Sequence, residues 1–328
     1  MRWLSVALPP LVAALTLASL LTGPAGLGMS ESLHALAWGG DGPLPIVMRD
    51  IRLPRAILGA VVGAGLGLAG AALQGYLRNP LAEPGLIGIS GMAALGAVIA
   101  IQTGLSLATP LALPLTALAG AAAGVGLLAA LAGPRGGSVT LILAGVAISA
   151  LAGAGTALVL NLSPNPYAAN EIVFWLMGSL ADRSLLHVWL ALPPMVLGAA
   201  LILPTRRALD ALTLGEAAAQ SLGVSAVALR WRLIAGIALT VGPATAVAGA
   251  IGFVGLVVPH VLRPWVGARP SALLPASALG GAVLLLAADI AVRLIVPERD
   301  LKLGVLTAIV GAPLFLRLIW KTRSGGRV

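Results

Sequence analysis

The sequence predicts an all-α polytopic membrane protein of about ten transmembrane helices, and three observations carry that expectation. Of its 328 residues, 59% are hydrophobic and only 9% are charged, more apolar side chain than a soluble core absorbs. The apolar residues come in runs of about 20, the length that crosses a hydrocarbon core of about 30 Å as a helix. The few charges fall between those runs rather than within them. Spans consume nearly all of residues 1–328, a single membrane domain with no room for a soluble catalytic one.

With Pro, Gly and charge clusters as punctuation, the apolar segments are residues 3–22, 55–75, 86–103, 109–132, 139–162, 186–203, 231–251, 253–266, 272–296 and 304–320, ten in all. The first follows Arg2 and is long for a signal-peptide core, so it reads as a retained span. Before the second lies Ser30 to Trp38, whose Leu33, Leu36 and Ala37 share a helical face, the pattern of an interfacial helix. Between the second and third, Arg78-Asn79-Pro80-Leu81-Ala82-Glu83-Pro84 makes a rigid turn, because its two prolines fix the backbone. That turn is either plain turn chemistry or a narrowing of a pathway. After the sixth, Pro204 to Arg230 is polar and reads as short helices that offer a docking surface; its core is about 205–227. The eighth segment lies between Gly252 and Gly267 and is too short to cross comfortably, so it is expected to be re-entrant or buried.

Placing the N-terminus in the cytoplasm assigns thirteen basic residues to the inner side and seven to the outer side, as the positive-inside rule requires. Glu83, Asp210 and Glu216 fall inside, whereas Glu31, Asp41, Asp50, Glu171, Asp182, Glu298 and Asp300 fall outside. Both termini are then cytoplasmic. The net charge of +9 is scattered over span ends and forms no stripe, which argues against nucleic acid.

Small residues recur every four positions: Gly59, Gly63, Gly67, Ala71 and Gly75 in the second span, Gly145, Ser149, Gly153 and Ala157 in the fifth, Gly236, Thr240, Ala244, Ala248 and Gly252 in the seventh. Such stripes let helix backbones approach closely where lipid gives no hydrophobic drive for association. Leu68 to Leu73 and Val247 to Gly252 echo one another five spans apart, hence in opposite orientation, which suits an inverted repeat.

Chemistry is sparse. There is no cysteine, no GxxxxGK loop for ATP phosphates, no HExxH and no nucleophile elbow, and His34, His187 and His260 stand apart. Neither a resident cofactor nor a metal site is expected. The outward arginines Arg49, Arg52 and Arg55, with Arg293 one turn beyond Asp289, run against the charge rule. They read either as headgroup contacts with an Asp289–Arg293 ion pair, or as a basic rim for an acidic partner.

Several stretches resemble the FecCD permeases of binding-protein-dependent ABC importers, which include the vitamin B12, haem and iron-siderophore permeases: Arg52-Leu53-Pro54-Arg55, Gln74 to Gly88, Leu141 to Val146, Trp175 to Leu180, Leu212 to Gly223, Gly252 to Arg263 and Thr307 to Phe315. The resemblance implies the type II ABC importer fold of the vitamin B12 permeases. It also implies a homodimer, with two cytoplasmic ATPase subunits that carry ATP and magnesium, and a periplasmic substrate-binding protein, all at the bacterial inner membrane. By the same resemblance Arg52, Arg55 and Arg293 dock the binding protein. Leu209, Leu212, Leu214, Gly215, Glu216, Ala219, Leu222 and Gly223 seat the ATPases, and Asn79, Leu81, Ser138 and Val139 form the cytoplasmic gate. The expected cargo is a ferric siderophore or related chelate, with haem or vitamin B12 as the alternative. One departure stands out: Lys302 occupies the place of the family's usual proline in Asp300-Leu301-Lys302-Leu303-Gly304. An ion-coupled carrier would need ionisable residues in its core, and only Asp289, His260 and Arg317 qualify, all near span ends. An intramembrane enzyme would need paired catalytic groups, which are lacking.

Overall fold

The computed structural model describes residues 2–23, 28–40, 42–133, 136–295 and 301–323. Among them every regular element is helical. Asp41, Arg135, Glu298, Asp300 and Arg327, used above in the charge argument, lie outside the described residues.

Ten apolar helices follow the predicted segments closely: α1 (Arg2–Leu21), α2 (Leu53–Leu77), α3 (Ile89–Gln102), α4 (Ala112–Ala132), α5 (Ser138–Asn161), α6 (Leu185–Ile202), α7 (Ala226–Ala248), α8 (Val254–Leu262), α9 (Pro270–Ile295) and α10 (Leu303–Arg323). Six of these stretches are long and apolar enough to cross a membrane, and four are shorter apolar helices. The lengths repeat in order: 20, 25, 14, 21 and 24 residues for α1 to α5, then 18, 23, 9, 26 and 21 for α6 to α10. In each half the second helix is long and the third is short, and between them the helix breaks, over a polar turn from Arg78 in the first half and over the apolar Gly249 to Phe253 in the second. Of the echo noted in the sequence, Val247 to Gly252 spans the second break, whereas Leu68 to Leu73 lies within α2, ahead of the first. The eighth segment, expected to be re-entrant or buried, forms a nine-residue helix in which Val254 to Pro259 are buried.

Local chemistry sets the boundaries. Arg78 ends α2 in the left-handed conformation, at φ +50°. The Ser225 hydroxyl caps α7 by accepting from the Ala228 N–H at 3.3 Å, and Gly249, at φ +74°, ends it. Surface helix Met29–Trp38 buries Ser32 and Ala35 and leaves Leu33 and Trp38 outward, as an interfacial helix should.

The packing centre is the pair α2 and α9. A Cβ on Gly63 would overlap the Gly281 carbonyl, and one on Gly67 would overlap that of Ser277. The small-residue stripe of α2 is therefore a backbone-to-backbone seam. The stripe of α7 works likewise: Gly236 faces Ile202 and Gly198 of α6.

Candidate functional site

The candidate residues fall at two ends of the bundle, called inner and outer after the orientation expected from the charge pattern, and in a set of braces between the two chain breaks. At the inner end, the Asn79 side chain accepts from the Leu81 N–H at 2.9 Å, an Asx turn that fixes the loop after α2. Asn79 is exposed and Leu81 half-buried. At the start of α5, Ser138 is half-buried and Val139 is 67% exposed. A cleft of about 210 Å³ joins Tyr76, Arg78, Ser138, Leu212, Glu216 and Arg230. It thus brings one expected gate residue together with two residues of the expected coupling segment. Asn79, Leu81 and Val139 do not line it.

The expected coupling segment folds as two short helices, Arg206–Leu212 and Glu216–Ser221, joined through Gly215 at φ +103° and followed by Gly223 at φ +83°. Leu209, Leu212 and Ala219 turn inward, whereas Leu214 is 70% and Leu222 66% exposed. Asp210 accepts from the Ser271 N–H at 2.9 Å, which ties the segment to the start of α9. Glu216 stands 3.8 Å from Arg78, an exposed pair and so a weak one. Arg230, only 3% exposed, donates to the carbonyls of Gly133 and Gly136 just before α5.

At the outer end the three expected docking arginines do come together, but each faces inward. Arg52 is 5% exposed and donates to the Leu20 carbonyl at 3.0 Å and the Leu21 carbonyl at 3.2 Å, the end of α1. Arg55 and Arg293 share Asp289, at 2.9 and 2.8 Å. Arg293 also donates to the Ser19 hydroxyl at 2.7 Å and the Thr22 carbonyl at 2.8 Å. The Asp289–Arg293 pair anticipated from spacing is present, and Arg55 is an added partner that spacing did not reveal. Nearby, Arg183 donates to the Val247 carbonyl at 2.5 Å; burial pulls its guanidinium down from the usual range while Asp182 pulls it back up. Lys302 lies over the Phe174 ring, 5.4 Å from its centre.

Between the ends, two motif stretches brace one another. The Glu83 carboxylate accepts from the Phe253 N–H at 2.6 Å, at the N-terminus of α8, where a negative charge suits the helix dipole. Phe253 is itself left-handed, at φ +68°. Gln74 donates to the Gly255 and Leu256 carbonyls, each at 3.4 Å, and accepts from Arg263 at 2.6 Å. Glu83 borders a cavity of about 160 Å³ shared with Ser90, Thr245 and Gly252. Burial pushes the Glu83 carboxyl up from the usual 4.5, and the Phe253 N–H offsets part of that rise. Sequence reasoning had Glu83 only as an inner-side charge. The signal for more was that Gln74, Glu83, Phe253 and Arg263 all belong to the two family-like stretches Gln74 to Gly88 and Gly252 to Arg263.

Comparison with known proteins places this architecture. The FecCD transport family matches residues 11–321. The chain belongs to the FecCD family. As a FecCD permease it is 44% identical over 278 residues to the Fe(3+) dicitrate transport system permease protein of Escherichia coli K12, covering 84% of this chain and 86% of that one. It is 42% identical over 271 residues to the vitamin B12 import system permease protein of Vibrio cholerae, covering 82% and 81%. Its fold matches a solved inward-facing metal-chelate type ABC transporter with a TM-score of 0.86 and 32% identity, over 98% of this chain and all of the other. The FecCD chain is thus a multi-pass permease of the ABC importer class.

Proposed function

We propose that this FecCD permease carries a ferric siderophore or related metal chelate inward across a bacterial inner membrane, with both termini cytoplasmic. A second copy completes the pathway, two cytoplasmic ATPase subunits bind ATP and magnesium and drive it, and a periplasmic binding protein delivers the cargo. The observation that carries this reading is the coupling segment: Leu214 and Leu222 stand bare on one side of it, while Leu209, Leu212 and Asp210 anchor the other side to the bundle. A force applied to such a segment reaches the cleft that also holds Ser138 and Arg78. Alternating access then follows from ATP-driven closure beneath, with Asn79, Leu81, Ser138 and Val139 proposed as the inner gate. The chain performs no covalent step.

Cargo is read from the ferric dicitrate relative and the metal-chelate transporter fold. The second reading, vitamin B12 or haem, is favoured by the vitamin B12 permease and by a hemin transport permease of Yersinia pestis. Docking of the binding protein is proposed at the outer cluster, where Arg55 and Arg293 flank the Asp289 carboxylate and Arg52 ties the same region to the end of α1. Arg55 keeps 18% of its side chain exposed, and an acidic side chain of the partner would share it with Asp289. ATP hydrolysis by the reconstituted complex, with the binding protein loaded in turn with ferric siderophore, haem or cobalamin, tests the proposal. Stimulation by the siderophore-loaded protein, weakened by Arg55→Gln without loss of melting temperature, supports it. Stimulation by haem or cobalamin alone selects the second reading, and a rate indifferent to the permease rejects both.

A further inference from the structure

Along one side of α10 runs a trough that no transport role accounts for. Its upper part, about 230 Å³, is walled by Val254 and Val257 of α8, Ala287, Ala288 and Ala291 of α9, and Val310 of α10. Three alanines facing α10 leave that wall low, so the space stays unfilled and apolar. The lower part, about 250 Å³, shares Val257 and continues past Val261, Leu314 and Phe315 to His260 and Arg317. No acidic residue is among the described residues lining either part.

Length decides what fits. From Leu306 to Arg317 the helix rises about 16 Å at about 1.5 Å per residue, close to half of a hydrocarbon core of about 30 Å. The trough is therefore one leaflet deep. It is apolar along its length and cationic at its mouth, and the charge bias of the chain places that mouth on the cytoplasmic side. Trp265, 54% exposed, follows the lining residue Pro264, and Trp320, 76% exposed, lies one helical turn past Arg317; aromatic side chains collect at headgroup level. Basic pockets between helices at this level suit anionic headgroups.

We infer that the α8–α9–α10 trough binds one acyl chain of an anionic phospholipid, whose phosphate is held by Arg317 with His260 beside it. A second copy of this chain would bring another apolar helix, whereas an anionic headgroup matches the charge of Arg317 at the mouth.

The full-length permease, reconstituted in phosphatidylcholine vesicles containing phosphatidylglycerol, is released into detergent and weighed by native mass spectrometry. The inference expects one retained lipid per chain, with phosphatidylglycerol preferred roughly fivefold, the effect of one well-placed cation at the surface. Arg317→Ala should abolish that preference while still retaining lipid. Leu314→Trp should abolish retention by filling the trough, with the melting temperature showing that the fold persists. Equal retention of the two lipids by the unmodified protein, or undiminished retention by Leu314→Trp, overturns it. Because the chain has no cysteine, Leu314→Cys supplies an independent check: rapid disulfide formation between two copies in the membrane would put the second copy in the trough and also overturn it.

Discussion

Glu83 shows how much depends on one acceptor. Its carboxylate receives the Phe253 N–H at the start of α8, and without it that donor sits half-buried with no replacement. Glu83→Ala should cost about 1–3 kcal/mol, the penalty for an orphaned buried donor, read as a fall in melting temperature in detergent. Glu83→Gln keeps an acceptor oxygen and removes the charge. The folded carboxyl lies above its ordinary value because burial outweighs the hydrogen bond. Its contribution is therefore full below about pH 4.5 and is lost as pH rises through the folded value. Glu83→Gln should then gain on the natural protein as pH rises toward 8, and the difference should vanish near pH 4.5; a difference independent of pH would show that the carboxyl titrates as in the unfolded chain. None of this was legible from composition. Glu83 meets Phe253 across 170 positions and Arg263 meets Gln74 across 189, and no periodicity says which polar residue answers which.

Helix positions were far more legible, because membrane spans advertise themselves by length and apolarity. The reading of 139–162 became Ser138–Asn161 and that of 186–203 became Leu185–Ile202. The seventh span starts at Ala226, five residues before the expected 231: Arg230, which closes the expected polar stretch, lies inside the helix, as does Arg232. Both arginines bond to carbonyls of neighbouring segments, so the helix continues through them. The stripe on α2 was also readable as a packing face, though its partner was not: Ser277 and Gly281 of α9 carry the same four-residue spacing and answer it. Gly63→Leu should drive the α2 and α9 backbones apart and cost about 3 kcal/mol or more, the upper range for overpacking. Gly126→Ala on α4, where nothing lies within 4 Å, should be neutral or stabilising by up to about 1 kcal/mol. Thermal melting of the two variants side by side checks the contrast.

For the whole molecule, function depends on surfaces that a single chain leaves bare. Leu214 and Leu222 belong to no core, so replacing both with aspartate should leave the melting temperature of the permease nearly unchanged. If they anchor an ATPase, each should behave as an interface hot spot of about 2 kcal/mol, and association should weaken at least about thirtyfold, measured by co-purification over a concentration series. The outer arginines teach the opposite lesson. Their residue types and approximate place were readable, yet whether they face a partner or their own fold was not, because that depends on where α1 ends, at Ser19 to Thr22.

The seam between α2 and α9 has a mechanical consequence. The carbonyls of Gly281 and Ser277, seated against Gly63 and Gly67, bring the two backbones into direct contact, a seam that resists sliding of one helix past the other. In the most apolar 18-residue window, 78% of α2 is buried but only 22% of α5. In the proposed transport cycle the moving parts are therefore expected among helices such as α5, with the α2–α9 seam as the axis they turn about.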